Sequence, residues 1–244
     1  MRNIRLDICY DGTRYRGWQR LSSSDNTIQQ KLEQALSRIL GEEIEISASG
    51  RTDAGTHAKL QVVSFHCQSE MPCEELLEAL HRYLPEDIGV YSCRNASPRF
   101  HARLNAQEKT YCYRVWNSDS PCVFDRKYVY RDTREVDVEK MQKAAWLFIG
   151  QHDFSAFCAN TKMKKSTERY ISAFSVERIG DEIRFTVTGN GFLHHMVRIM
   201  VGTLLEIGRG EREIDSIPML FGGVRADAGE LVPACGLCLM EVIY

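Results

Sequence analysis

From Asn3 to Tyr10 apolar and polar positions alternate, with Ile4, Leu6, Ile8 and Tyr10 on one side of the period. A period of two predicts a strand with one buried face. The pattern then changes. Ile28, Leu32, Ala35, Leu36 and Ile39 recur at helical spacing, and Thr27 followed by Gln30 forms a capping box. Gly41 supplies the stop, so the spacing predicts a helix over 27–40. The same reading gives strands over 43–48 and 60–67, a helix over 73–83 and a strand over 87–94. In the second half it gives a strand over 108–116 and a helix over 137–149. A hairpin follows, 170–179 with 182–188, turning at Gly180-Asp181. A helix over 192–207 and a strand over 236–243 close the chain. Each half runs in a β-α-β-β-α-β-like order, which predicts an α+β protein with antiparallel sheets. No internal repeat and no Pro/Gly/Ser linker marks a boundary. The join falls within Asn95–Gln107, giving subdomains at 1–104 and 105–244.

Composition narrows the class. The 244 residues are enough to bury one or two cores, and 43% hydrophobic with 26% charged residues is ordinary for a globular protein. No apolar run approaches the ~20 residues of a membrane span, and the N-terminus lacks an apolar signal core. These features predict a cytoplasmic protein without a membrane partner. Nine scattered cysteines suit reduced thiols. The one Cys-x-x-Cys, Cys235 to Cys238, falls in an expected strand and has no second pair to complete a zinc site. His194 and His195, adjacent on an expected helix, do not share a face. No metal and no cofactor are expected.

The net charge of −2 hides an uneven distribution. Arg14, Arg16 and Arg20 cluster early. Arg94, Arg99, Arg103, Lys109 and Arg114 are opposed only by Glu108, and Lys162, Lys164, Lys165 and Arg169 only by Glu168. Each run alone reads as a solvated face. Together, interleaved with Tyr15, Trp18, Phe100 and Tyr111, they suit a groove that tracks phosphates.

The densest chemistry lies in Gly50-Arg51-Thr52-Asp53-Ala54-Gly55-Thr56-His57-Ala58, between two expected strands. Two glycines bracket a cation, a carboxylate and an imidazole. An exposed Arg51–Asp53 pair with turn-forming neighbours would account for part of this, at no more than ~1 kcal/mol. Arg198 is the only cation between Phe192 and Ile207, so it either carries its head to water or meets a buried partner. Tyr111 and Tyr113 share one face of their strand, and period alone does not choose between them.

The nine-residue string resembles the catalytic loop of the tRNA pseudouridine synthase A family, and the resemblance extends along nearly the whole chain. Tyr10-Asp11-Gly12-Thr13 with Gly17-Trp18-Gln19 is similar to the family's first loop, and Thr27 to Leu40 to its first helix. Phe100-His101-Ala102-Arg103, Lys109-Thr110-Tyr111 and Gly150-Gln151-His152-Asp153-Phe154-Ser155 follow in family order. Gly191-Phe192 through Gly202-Thr203-Leu204 comes after them. This sequence departs from the family at Thr56, where Val is usual, at Leu104-Asn105, in the loop 161–169, and at Val232–Leu237. The resemblance implies two related ferredoxin-like or RRM-like subdomains whose antiparallel sheets join across a central basic cleft. It implies isomerisation of uridine to pseudouridine at positions 38, 39 and 40 of the tRNA anticodon arm, by a homodimer. It makes Asp53 the nucleophile, Arg198 its counter-ion and Tyr111 the active-site tyrosine. Arg51, two residues from Asp53, is the candidate to fill the space left by a flipped nucleotide or to hold it, Leu237 is a further substrate-binding candidate, and the basic clusters offer Arg14, Arg16, Arg103, Lys164 and Lys165 for contacting RNA. Attack on the uracil ring and attack on the ribose anomeric carbon both remain open. A non-catalytic RNA-binding protein would not need Asp53 with Arg198. A glycoside hydrolase would need a second carboxylate that the loop lacks.

Overall fold

The computed structural model describes all residues from Met1 to Tyr244. In chain order the elements are β1 (Arg2–Tyr10), α1 (Ile28–Leu40), β2 (Ser47–Ala48), β3 (His57–Cys67), α2 (Cys73–Tyr83), β4 (Ile88–Ala96) and β5 (Glu108–Trp116). They continue with β6 (Tyr130–Arg131), α3 (Val138–Trp146), β7 (Gly150–Asp153), β8 (Glu168–Ile179), β9 (Glu182–Gly189), α4 (Met196–Gly208), α5 (Ile217–Leu220) and β10 (Leu237–Ile243). The protein is α+β, and its long strands pair antiparallel. No helix is long and apolar enough to cross a membrane. Two compact units share the chain: Met1–Gln107 with Leu239–Tyr244, and Glu108–Cys238.

In the first unit the strands lie in the order β4-β1-β3-β10, with β2 also on β3. Ile4, Leu6 and Ile8 of β1 are fully buried, as are Leu32 and Leu36 of α1 and Leu76 and Leu80 of α2. Thr27 caps α1 by accepting from Gln30 N, and Gly41 ends it at φ 72°. The expected strand over 43–48 shrinks to Ser47–Ala48 for a visible reason. Ile44 N donates to Ser37 Oγ (2.9 Å) and Ile46 N to Glu33 Oε1 (3.2 Å), so side chains of α1 satisfy the backbone that a ladder would otherwise use. The segment Ser97–Asn105 is tied down by Asn3 Nδ2, which donates to the carbonyls of Ser97 and Phe100 at 2.8 Å each. The closing residues join this unit through Gln107 N to Ile243 O (2.8 Å) and Tyr244 OH to Ala102 O (2.7 Å). The sequence pattern places them in 105–244. A strand that returns to a distant partner leaves no local pattern.

In the second unit the order is β5-β9-β8-β7, with β6 parallel to β5. The hairpin turns at Gly180-Asp181 as the sequence predicts. α4 is buried almost all round, and Gly208 lets it approach α3: a Cβ there would stand 2.8 Å from Met141 Sδ. α3 is shorter than the expected 137–149, starting after Asp137, which caps it through Lys140 N (2.9 Å). α4 starts at Met196, not Phe192, because His195 takes φ 64°. His194 and His195 therefore precede the helix, with ring centroids 3.7 Å apart, and the helix-face reasoning does not apply to them. Cys235 lies in a 3-10 turn over Ala234–Gly236, outside the strand expected there. Gly150-Gln151-His152-Asp153 forms the short strand β7, and Phe154 beyond it packs with Phe148, Phe157 and Phe221.

Candidate active site

The Asp53 loop is pinned along its length within the first unit. Ser49 N donates to Val62 O (2.8 Å) and Gln61 Nε2 to Gly50 O (2.9 Å), fixing the entry. Thr52 is held twice, by Tyr10 OH at Oγ1 (2.8 Å) and by Trp18 N at its carbonyl (3.0 Å). Thr56 N then donates to Asp53 O (3.1 Å), closing a tight turn in which Gly55 takes φ 79°. β3 begins immediately afterwards, at His57 rather than residue 60. Asp53 is half-buried and Arg51 exposed. A short turn thus presents the carboxylate from a backbone with little freedom to move.

The first loop is the brace for this turn, a role the sequence does not reveal. Gly17, at φ 91°, packs so closely that a Cβ would lie 2.9 Å from Thr52 O and 3.1 Å from both Ala54 N and Asp53 C. A Cβ on Gly12 would overlap Thr56 O. Gly17 O and Trp18 O in turn accept from Ile28 N (3.2 Å) and Gln29 N (3.0 Å), which anchors the brace on the N-terminus of α1. Gly12 N donates to His57 Nδ1 (3.1 Å), which ties the imidazole to the first loop. His57 packs beside Asp11 (3.3 Å) as part of the scaffold. Asp87 completes it by accepting from Tyr15 OH and from Arg14 at 2.6 and 3.0 Å. Burial, with this carboxylate beside it, pushes the Tyr15 phenol well above its ordinary range. Asp87 and Asp11 are not among the catalytic or binding candidates that the sequence offers, and Tyr15 enters there only as an aromatic interleaved with the basic clusters. Only the Tyr10–Thr13 match points near them.

The remaining candidates belong to the second unit. Tyr111 on β5 is buried, edge-on to Phe192 at 5.0 Å between centroids. Tyr113, two residues on, is also buried, but its hydroxyl donates to Pro233 O (2.7 Å), and burial pushes the phenol far above its ordinary range. A Cβ on Gly236 would press on the Tyr113 ring at 2.8 Å and on Arg114 O at 2.7 Å. Tyr113 is thus committed to holding the segment that ends in Leu237, itself buried. Arg198 on α4 is half-buried and donates from Nε to Val232 O (2.8 Å). That segment lies tight against α4, since a Cβ on Gly202 would overlap Glu230 O and Gly229 N donates to Thr203 Oγ1 (3.0 Å). Gly202-Thr203 is therefore a docking surface for residues 229–232, and Val232 is an orienting partner of Arg198 that sequence reasoning misses.

The basic candidates differ in their engagement. All five are exposed, but Arg14 is tied to Asp87, an ion pair that Arg16, Arg103, Lys164 and Lys165 do not share. Arg103 sits on a fixed strap: Ala102 N donates to Ser64 Oγ (3.0 Å) and Arg103 N to His101 Nδ1 (3.1 Å). The loop carrying Lys164 and Lys165 is secured at its base by Asp153, which accepts from Thr167 Oγ1 and Ser155 N.

Residues 8–104 and 144–244 match the family profile described as tRNA pseudouridine synthase, a match that includes Arg51, Asp53, Arg198 and Leu237 and leaves out Tyr111. A tRNA pseudouridine synthase A 2 of Clostridium perfringens is 43% identical over 245 residues, covering all of both chains. A tRNA pseudouridine synthase A of a Bacillus species is 44% identical, and a tRNA pseudouridine synthase A 1 of Clostridium tetani 43%, each again covering all of both chains. Matched by the profile over most of its length and by these relatives from end to end, the chain belongs to the tRNA pseudouridine synthase family.

Proposed function

We propose that this isomerase converts uridine to pseudouridine at positions 38, 39 and 40 of the tRNA anticodon arm, with Asp53 as its nucleophile. The observation that carries the reading is the bracing of the Asp53 turn by Gly17, Trp18 and Tyr10, which fixes one carboxylate for attack. The reaction breaks the bond from ribose C1′ to N1 of uracil and makes one from C1′ to C5. The base turns between the two steps, N1 gains a proton and C5 loses one. Nothing is oxidised and no water is consumed, so one positioned carboxylate is enough. A base stacked in an A-form stem is out of reach, so the target is flipped out. Arg51, exposed two residues from Asp53, holds the flipped nucleotide, while Tyr111 stacks on the uracil and Leu237 lines the base site. Arg198 keeps the nucleophile ionised, because a fixed cation opposes the effect of burial on a carboxylate. Arg16, Arg103, Lys164 and Lys165 grip phosphates and read overall form, since the narrow major groove of an A-form stem hides its base edges.

A homodimer in the cytoplasm suits this chemistry, with one 28.0 kDa subunit gripping the tRNA body while the other presents Asp53. The test is incubation with unmodified tRNA followed by mapping of pseudouridine. The expected product lies at positions 38–40, and Asp53→Asn abolishes it while tRNA binding and folding survive. Turnover by that variant, or product only elsewhere, overturns the reading. Full activity from a monomer removes the dimer from it.

A further inference from the structure

The first unit carries a second reactive cluster that pseudouridine chemistry does not use. Cys73 is the first residue of α2, directly after Pro72, and Cys93 lies on β4. Both line a single cavity of about 490 Å³, with Arg2 and Arg94 balanced by Glu70 and Glu74 around it. The Arg2 guanidinium is fixed by Met71 O (2.6 Å) and Asn95 Oδ1 (2.9 Å) and turns an N–H to Cys73 Sγ at 3.2 Å. Cys93 faces the same cavity as Cys73. None of the nine cysteines is in a disulfide.

We propose that Cys73 and Cys93 form a thiol–disulfide exchange site, which a small neutral disulfide entering this cavity oxidises to an intramolecular Cys73–Cys93 bond. Cys73, whose Sγ lies against the fixed Arg2 guanidinium, attacks first: its sulfur bonds to one sulfur of the disulfide, the S–S bond breaks, and one small thiol leaves with a proton. Cys93 resolves the mixed disulfide. It gives up its proton, bonds to Cys73 Sγ and expels the second small thiol. Two protein thiols are oxidised and one disulfide is reduced to two thiols, so the step balances without a further oxidant. Burial pushes the Cys93 thiol well above its ordinary range, and Cys73 and Glu74 add to the rise. Cys93 therefore suits the second step rather than the first. The balanced charges around the cavity favour a neutral reagent.

The test uses the folded full-length chain and hydroxyethyl disulfide, with remaining thiols alkylated before peptide mass spectrometry. The expected result is a Cys73–Cys93 cross-linked peptide that forms before any other cysteine reacts, and that a reducing agent reverses. Cys93→Ser accumulates the mixed disulfide on Cys73, and Cys73→Ser leaves Cys93 unmodified over the same period. Arg2→Gln slows the first step severalfold while the melting temperature of the reduced protein stays within a few degrees. A Cys67–Cys73 link, modification at random among the nine cysteines, or a Cys93→Ser variant that traps nothing on Cys73 overturns the assignment.

Discussion

Replacing Gly17 by Ala asks whether the brace beneath Asp53 sets catalysis or only stability. Gly17 has φ 91°, where an L side chain costs about 1–2 kcal/mol. Its new Cβ would also stand 2.9–3.1 Å from three backbone atoms of Thr52, Asp53 and Ala54. Backbone held by Tyr10, Trp18 and Thr56 cannot swing aside like a flexible side chain, so relief requires the loop to shift by a few tenths of an ångström. Overpacking of this kind adds roughly 1–3 kcal/mol. The combined loss predicts a fall in melting temperature of roughly 5–15 °C, followed by circular dichroism. With Asp53 as the proposed nucleophile, displacement even partway towards 1 Å loses rate steeply, so kcat for pseudouridine formation should fall on the order of tenfold to a hundredfold while tRNA binding holds. Gly41→Ala is the matched control. It has φ 72°, yet a Cβ there meets nothing within 4 Å. It should cost about 1–2 kcal/mol of strain and leave kcat alone. Wild-type kcat in Gly17→Ala, or an equal loss of kcat in Gly41→Ala, would refute a positioning role for the brace.

Thr56, where the family usually has Val, is 1% exposed, and its Oγ1 finds no hydrogen-bond partner. Thr56→Val removes an unsatisfied buried hydroxyl and should stabilise by about 1 kcal/mol, read as a melting temperature a few degrees higher with activity kept; a lower one would contradict this. Arg198→Ala should abolish most turnover, and Tyr111→Phe should impair it while tRNA affinity stays near normal in a filter-binding assay. Wild-type rates from both would dismantle the proposed pocket. Arg114, hydrogen-bonded to Glu182, holds that carboxyl below its ordinary 4.5 against the pull of burial, and Arg184 assists at 3.0 Å. The folded-state value is depressed, so this contribution is whole above about pH 4.5 and is lost as pH falls through the lower folded value. Glu182→Gln should flatten the acid limb of a urea-unfolding stability curve and lower its plateau; an unchanged limb would show that the pair contributes nothing.

Local pattern makes much of this protein legible. The alternation in β1, the capping box and glycine stop of α1, and the Gly180-Asp181 hairpin are readable because each depends on residues close in sequence. The density of groups in Gly50–Ala58 marks the Asp53 loop for the same reason. Contacts between distant segments are not readable. The strand expected over 43–48 yields to hydrogen bonds from Ser37 and Glu33, and the closing strand returns to the first unit. Gly12 and Gly17 read as ordinary loop glycines, and only packing shows that their missing side chains make room for the backbone around Asp53. Likewise the carbonyl that orients Arg198 comes from Val232, and Cys73 and Cys93, which line one cavity with Arg2, lie on separate elements. Periodicity reports which face of an element is buried. Which partner meets that face is decided only when the chain closes on itself, because such contacts depend on close packing between residues far apart in sequence.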